Sequence, residues 1–225
     1  IKKFKSDNTP VSNGDLEVND FISKQISSLT PDLPIISEET SDNKNNSNLK
    51  DFWLIDPIDG TYDYINGRDE FTLNAALIKD YKPFLGIIYA PAKKRMFYTY
   101  GQNTSFEINN GEKKEIKCKK TSKENEVLAL SYSNDLKEEI LKIHKKYKVT
   151  NFTKMKSSLK FCSVATGEFD LYAAEPRACE WDIAAGHAIL INAGGIITDF
   201  NGNEILYGKK DFKNTSIILK RSSKL

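Results

Sequence analysis

The sequence predicts a layered protein of the α/β or α+β class, on three observations. Apolar residues recur at helical spacing in some segments, notably 15–29 and 136–147. Short β-branched and aromatic runs bounded by turn residues read as strands in others, notably 52–55 and 215–219. Helices and strands then mix along the whole chain, which is the pattern of stacked layers.

In chain order, Val18, Ile22, Ile26 and Leu29 place an apolar stripe on a helix over Asp15–Leu29, which Pro31 and Pro34 stop. Pro34–Ile36 is a short strand ending on Ser37-Glu38-Glu39. Ser41–Lys50 is polar and low in complexity and reads as a mobile surface loop. Phe52–Ile55 is a buried strand. Thr72–Ile78, Pro83–Tyr89 and Arg95–Tyr100 form an antiparallel meander. Lys113–Lys123 is lysine-rich and reads as a solvated hairpin and linker. Val127–Ser131 is a strand, and Leu136–Tyr147 a helix with Leu136, Ile140, Leu141 and His144 on one side. Ser158–Ala165 is a helix, Asp170–Ala173 a strand, and Trp181–Asn192 a helix with Gly194-Gly195 just past its end as a C-cap signal. Ile196–Asp199 and Thr215–Leu219 close the chain as strands. There is no internal repeat. The 225 residues, 39% apolar, suffice for one large domain or two lobes, with a boundary expected near Glu124–Glu126.

Thirty-three basic and 31 acidic residues give a formal charge of +2. That near balance argues against a dedicated nucleic-acid or membrane binder and permits small anionic substrates. Cys118, Cys162 and Cys179 show no CxxC spacing, which argues against a disulfide framework or a structural zinc and fits a reducing cytoplasm. There is no secretory signal and no apolar run of about 18 residues, so no membrane span is expected. The chain starts at Ile1 rather than Met, so an N-terminal piece is expected to be missing.

The chemistry concentrates in WLIDPIDGTYDYING, Trp53–Gly67. Ile55 ends an apolar run, so Asp56 projects from its rim. Pro57 fixes φ and removes an amide donor, stiffening the chain so that Asp59 can fold back toward the same point. The Ile58 carbonyl can face that point too. Gly60 and Thr61 stand where a short helix can start, and free amides at a helix start bind phosphate. With Glu38 and Asp182, the segment offers acids at the ends of three elements. Hard cations such as Mg²⁺ take oxygen ligands, and a pair of ions about 4 Å apart can grip both oxygens of a phosphoryl transfer. Taken singly, each acid has a plainer reading. Asp56 and Asp59 can cap a turn, Glu38 can be a solvated surface acid, and Asp182 can complement a helix N-terminus. Their combination in this order points to a metal-dependent phosphate-ester hydrolase. The histidines are not needed: His144 reads as a helix-surface residue and His187 as a buried one. Cys162 and Trp53 read as core, Trp181 as a packing wedge, and Tyr62 and Tyr64 as covering the turn after Thr61.

These motifs resemble a known family. WLIDPIDGT is similar to the first signature of the inositol monophosphatase superfamily, and EWDIAAGHAILINAGG (Glu180–Gly195) to its second. DNTPVSNGD (Asp7–Asp15) and PIISEE (Pro34–Glu39) match two upstream motifs in order. INGRDEFTLNAALI, LGIIYAP and SSLKFCSVATGEFDLY (Ser157–Tyr172) resemble the 3′(2′),5′-bisphosphate nucleotidase branch. The resemblance implies an alternating αβαβα sandwich, one domain over 1–225, divisible into two lobes: 1–125, with the metal and phosphate motifs, and 126–225, with Asp182. A leading helix of the family would be truncated here.

It implies a phosphomonoesterase that converts 3′-phosphoadenosine 5′-phosphate (PAP) to AMP with two or three Mg²⁺ ions, sensitive to Li⁺, acting as a monomer or homodimer. Glu38, Asp56, Asp59, Asp182 and the Ile58 carbonyl would hold the metal, with Glu38 counted among the catalytic groups. Gly60 and Thr61 would hold the scissile phosphate. Asp15, with the Thr61 hydroxyl, would orient and deprotonate the attacking water. Ser157, Ser158, Lys160 and Asp182 would face the substrate, Lys160 supplying charge to the non-scissile phosphate. The chain departs from the branch in two places. Ser131-Tyr132-Ser133-Asn134 stands where a Ser-Arg-Ser-His-like segment is usual, and AEPRAC (Ala174–Cys179) replaces a Gly-Pro-Thr-type loop, with Arg177 as a substitute charge. The rival readings are an inositol or sugar phosphate phosphatase and a catalytically silent phosphate-binding relative.

Overall fold

The computed structural model describes residues 2–4, 10–40, 49–118, 126–223 and 225, and of 2–4 and 10 only the backbone. Most of the Ser41–Lys50 loop, the expected boundary at 124–125 and the second half of Lys113–Lys123 lie outside the described residues.

Two sheets organise the chain. A short antiparallel pair, β1 (Lys2–Phe4) and β2 (Pro10–Ser12), precedes helix α1 (Asn13–Leu29). The first large sheet runs in the order β3 (Ile35–Ser37), β4 (Phe52–Asp59), β5 (Thr72–Lys79), β6 (Lys82–Ala90), β7 (Arg95–Thr99), β8 (Ser105–Asn109), β9 (Glu112–Ile116). Only its β3–β4 pair is parallel. Helix α2 (Thr61–Ile65) leaves the end of β4. The second sheet is built from β10 (Leu128–Ser131), β11 (Asn151–Lys154), β12 (Leu171–Ala174), β13 (Ile196–Thr198) and β14 (Ile217–Lys220), in the order β11-β10-β12-β14-β13. Helices α3 (Glu138–Lys146), α4 (Leu159–Ala165) and α5 (Glu180–Asn192) complete the fold.

Strand alternation stacks these parts. Successive side chains of a strand point to opposite faces. Along β4, Trp53 and Ile55 join Ile22 and Ile26 of α1, while Phe52 and Leu54 face the central core with Ile183, Ala184 and Ile189 of α5. In the second sheet Tyr172, Leu130 and Leu219 face that same core. Leu171, Ala173, Ala129 and Ile218 turn the other way, onto Ile140 and Ile143 of α3. The layers are therefore α1, sheet, α4 with α5, sheet, α3: the αβαβα sandwich. Around β4 and β12 the sheets are covered on both faces, which is why those strands read as continuous apolar runs.

Several boundaries differ from expectation, each for a tertiary reason. The β4 strand does not end at Ile55 but continues through Pro57 to Asp59. The inner stripe of α1 is Asp15, Asn19, Ile22 and Ile26, and Leu29 is 80% exposed; the buried stripe starts with two polar residues that apolar periodicity cannot register. On α3 it is Ile143, not Leu141, that faces the core, and His144 is buried against Phe152 of the unexpected edge strand β11 rather than on the surface. The lysine-rich hairpin is real in its first half. It begins earlier, with β8, and turns at Asn110-Gly111, where both φ values are positive.

Candidate active site

The first pair of acids owes its placement to a register shift. Asp56 pairs with Asn74 across β4–β5, and Asp59 pairs with Thr72. Three residue steps on β4 thus oppose two on β5. One extra residue flips the strand's phase, so Asp59 returns to the face that Asp56 occupies. Pro57, which has no amide hydrogen, sits inside this bulge. That face looks onto α5.

At the end of β4 the chain turns sharply through Gly60, φ 99°. A Cβ there would meet the Glu70 carbonyl at 2.8 Å, so glycine is required on two counts. Thr61 follows as the first residue of α2. Its hydroxyl lies 2.9 Å from Asp15 Oδ1 and 3.1 Å from the Ile58 carbonyl oxygen. Asp15 is 1% exposed and is itself fixed by a capping box, its Oδ2 accepting from the Ser12 amide at 2.7 Å and the Ser12 hydroxyl at 2.6 Å. Buried Asn19 takes a 2.6 Å hydrogen bond from Ser37, tying the end of β3, just before Glu38, to α1.

Asp182 arrives from the opposite layer as the third residue of α5, where its Oδ2 accepts from the Cys179 amide at 2.5 Å. Asp56, Asp59 and Asp182 each bring an oxygen within 4.8 Å of the others. Ser158, just ahead of α4, joins the layers. Its hydroxyl is 2.7 Å from Asp59 Oδ2 and 2.6 Å from the Asp182 carbonyl oxygen, and it accepts from Asn74 Nδ2 at 2.9 Å. The close approach of α4 to α5 depends on Gly186, where a Cβ would run into the Phe161 ring.

The electrostatics of this corner are unfavourable as it stands. Asp56 is 1% exposed, and neither carboxyl oxygen has a hydrogen-bond donor. Burial, then the charges of Glu38, Asp59 and Asp182, push its pKa well above the carboxylate range. Burial and then Asp59 and Glu38 raise Asp182 to about 7. Carboxylates crowded together without donors are stable as anions only beside a cation. The all-oxygen donor set suits a hard divalent ion. The residues present therefore fit Mg²⁺.

Beyond the acids lies a cleft lined by Asp59, Ser158, Lys160, Tyr172, Arg177 and Asp182, among others. Lys160 is 7% exposed, with its ammonium on the Ser157 carbonyl. Burial lowers its pKa to about 8 against the pull of Asp59 and Asp182. Ser157 and Ser158 line the cleft as well, although the Ser158 hydroxyl is engaged within the protein. Arg177 stacks on Tyr132, its guanidinium carbon 3.2 Å from the ring centroid. Thus two cations stand beside the acidic corner. Asn74 and Asn19 also belong to this corner although no sequence motif marks them: Asn74 is buried opposite Asp56, and Asn19 is buried on the inner face of α1. Cys162, Trp53 and Trp181 are core, and His187 is buried with its Nδ1 2.9 Å from the Tyr207 hydroxyl.

Comparison with known proteins agrees with this fold. The chain is 38% identical over 205 residues to a 3′(2′),5′-bisphosphate nucleotidase CysQ of Buchnera aphidicola, covering 91% of this chain and 76% of that protein. The Thermotoga maritima IMPase superposes with a TM-score of 0.77 at 26% identity, over 98% of this chain and 82% of its own. CysQ from Bacteroides thetaiotaomicron gives 0.74 at 25% identity, over 90% and 82%. The model of the inositol monophosphatase family matches residues 2–225, and the chain belongs to that family.

Proposed function

We propose that this protein is a Mg²⁺-dependent 3′(2′),5′-bisphosphate nucleotidase that converts PAP to AMP and phosphate. The observation that carries the reading is the cluster of Asp56, Asp59 and Asp182, in which Asp56 has no hydrogen-bond donor, set beside two buried or stacked cations, Lys160 and Arg177. A substrate with two phosphates separated by a nucleoside matches a site with a metal corner at one end and fixed positive charge at the other.

Glu38, Asp56, Asp59, Asp182 and the Ile58 carbonyl would hold two or three Mg²⁺ ions. When bound, these ions lower the pKa of water and offset charge on the transferring phosphoryl group. Asp15 accepts the Thr61 proton, so the Thr61 hydroxyl keeps lone pairs with which to orient an attacking water. The Asp15–Thr61 pair then takes up the proton released as the water oxygen forms its bond to phosphorus; the ester bond breaks with its electron pair left on the ribose oxygen, which takes a proton from solvent water. Amides at Gly60 and Thr61 receive the scissile phosphate where glycine lets the backbone come close. Lys160, helped by Arg177, holds the second phosphate by charge. Ser157 and Ser158 shape the floor of that pocket.

The proposed lobes, 1–125 and 126–225, each supply part of the site, the first its phosphate motifs and the second Asp182 and Lys160. The protein is read as a cytoplasmic monomer or homodimer. None of its three cysteines is in a disulfide, and among the described residues no helix is long and apolar enough to cross a membrane. The test is phosphate release from PAP and, separately, from inositol 1-phosphate, each with Mg²⁺ and with added Li⁺. Li⁺-sensitive turnover of PAP alone is the expected result. Preference for inositol 1-phosphate would overturn the substrate and keep the metal chemistry. Turnover of neither would favour a silent relative.

A further inference from the structure

We infer that Asn74 is a positioning residue for the metal corner, acting through Ser158 on Asp59. The inference rests on the metal-dependent reading above and concerns a residue that touches neither the substrate nor the metal in that reading.

Asn74 is 1% exposed in the middle of β5 and stands directly across the ladder from Asp56, on the same face. Its Nδ2 donates to Ser158 Oγ across 84 residues of sequence. A hydroxyl carries one proton. With its oxygen already accepting from Asn74, the Ser158 proton must point the other way, where Asp59 Oδ2 and the Asp182 carbonyl oxygen wait at 2.7 and 2.6 Å. The chain therefore has a fixed polarity, from amide to hydroxyl to carboxylate. Holding one oxygen of Asp59 sets the plane of the carboxylate and so the direction of its other oxygen. The same hydroxyl pins the first turn of α5, which carries Asp182. One carboxamide thus couples β5, the start of α4 and the start of α5 at the point where the sandwich layers meet.

Stability alone does not account for this residue. Asn74 Oδ1 is buried without a partner, so half of the amide is desolvated for nothing. An apolar residue of similar shape would be at least as favourable for the fold. Groups behind metal ligands, by contrast, tune affinity by about ten- to a hundredfold.

The test is a Mg²⁺ titration of the melting temperature of the full chain without substrate, for the wild type, Asn74→Leu, Asn74→Asp, Ser158→Ala and the Asn74→Leu/Ser158→Ala double variant. Circular dichroism in EDTA checks the fold, and Asn74→Asp keeps the shape should Asn74→Leu fail to fold. Expected is a melting temperature in EDTA close to the wild type for Asn74→Leu, with its Mg²⁺ midpoint raised about tenfold or more. The double variant should be no worse than Ser158→Ala alone, because the two residues act as one chain. A wild-type Mg²⁺ midpoint in both Asn74 variants overturns the inference and leaves the metal reading intact, as does additivity in the double variant. A wild type whose melting does not respond to Mg²⁺ overturns the metal reading, and this inference with it.

Discussion

Glu180 and Asp182 stand two residues apart on the first turn of α5, and their surroundings are opposite. Glu180 is fully buried and well supplied: its oxygens accept from the amides of Gly208 at 2.8 Å and Lys209 at 3.0 Å, and the Lys209 ammonium lies 2.7 Å away. Asp182 is half-buried and accepts one amide; Asp59 and Glu38 crowd it, with the Lys160 charge further along the cleft, and burial with the acids' charges lifts its pKa to about 7. Asp56, across the corner, has no donor at all. A buried acid given donors serves the fold, because its charge is answered within the chain. A buried acid given only other acids is answered by something from outside. Glu180 and Asp56 are equally buried, so burial and residue type do not separate structure from chemistry; the partners do.

The contrast is broken or sharpened most directly by removing one charge from each kind. Asp59→Asn should abolish phosphate release, a loss of at least about a thousandfold in kcat, since a proposed metal ligand loses its charge. Its melting temperature in EDTA should be unchanged or higher, because a repelling carboxylate has gone. Activity retained under Mg²⁺ would defeat the metal assignment. Glu180→Ala should do the reverse. It strands two buried amides and the Lys209 ammonium, so chemical denaturation should show a loss of about 3 kcal/mol, while kcat per folded molecule stays within a few-fold. A stable, inactive Glu180→Ala would place Glu180 with the working acids and end the distinction.

How much of this was legible in the sequence follows the same line. The Asp-Pro-Ile-Asp spacing was legible because the two acids and the proline that bends the strand lie within four residues. Its mechanism was not. The bulge exists only relative to β5, and no local pattern reveals that Asp59 comes back into phase through Thr72. The mixing of helices and strands shows only that the protein is layered, and the order of the layers follows from the family resemblance; the inner face of α1 begins with Asp15 and Asn19, so apolar periodicity sets its stripe askew. His144 looked like a surface residue because Phe152, which covers it, belongs to a short edge strand with little β-signal. The Asn74–Ser158–Asp59 chain spans 84 and 99 residues, and long-range polar pairs leave no periodic trace.

A second buried titratable group on α5 tests the comparison by pH. His187 is buried against the Tyr207 hydroxyl, and burial, with the Lys209 charge nearby, lowers its pKa to about 3. The unfolded chain binds a proton near pH 6.5, whereas the folded chain resists it to about pH 3, so stability is present above pH 6.5 and is lost as pH falls through that window. At pH 5 this residue should account for about 2 kcal/mol of lost stability. His187→Gln should therefore flatten the decline between pH 7 and 5 by that amount, measured by urea melts at each pH, with His144 and the carboxylates supplying the remainder. An unchanged slope would mean that His187 is accommodated as a cation.

The smallest effect separates the two positive charges of the cleft from mere neutralisers of the acids. Lys160 is buried, and its ammonium is held between the pull of Asp59 and Asp182 and the cost of burial. If it served only to offset those carboxylates, Lys160→Ala would weaken every phosphate ester alike. If it holds a second phosphate, the loss falls on PAP and spares a small sugar phosphate, which has none. We expect KM for PAP to rise about tenfold, equivalent to about 1.4 kcal/mol, with KM for the sugar phosphate within twofold. Arg177→Ala should follow in the same direction by a smaller factor, since its guanidinium is partly occupied on the Tyr132 ring. Equal changes for both substrates would return Lys160 to the class of Lys209, a cation whose partner is an acid of the fold rather than an anion of the substrate.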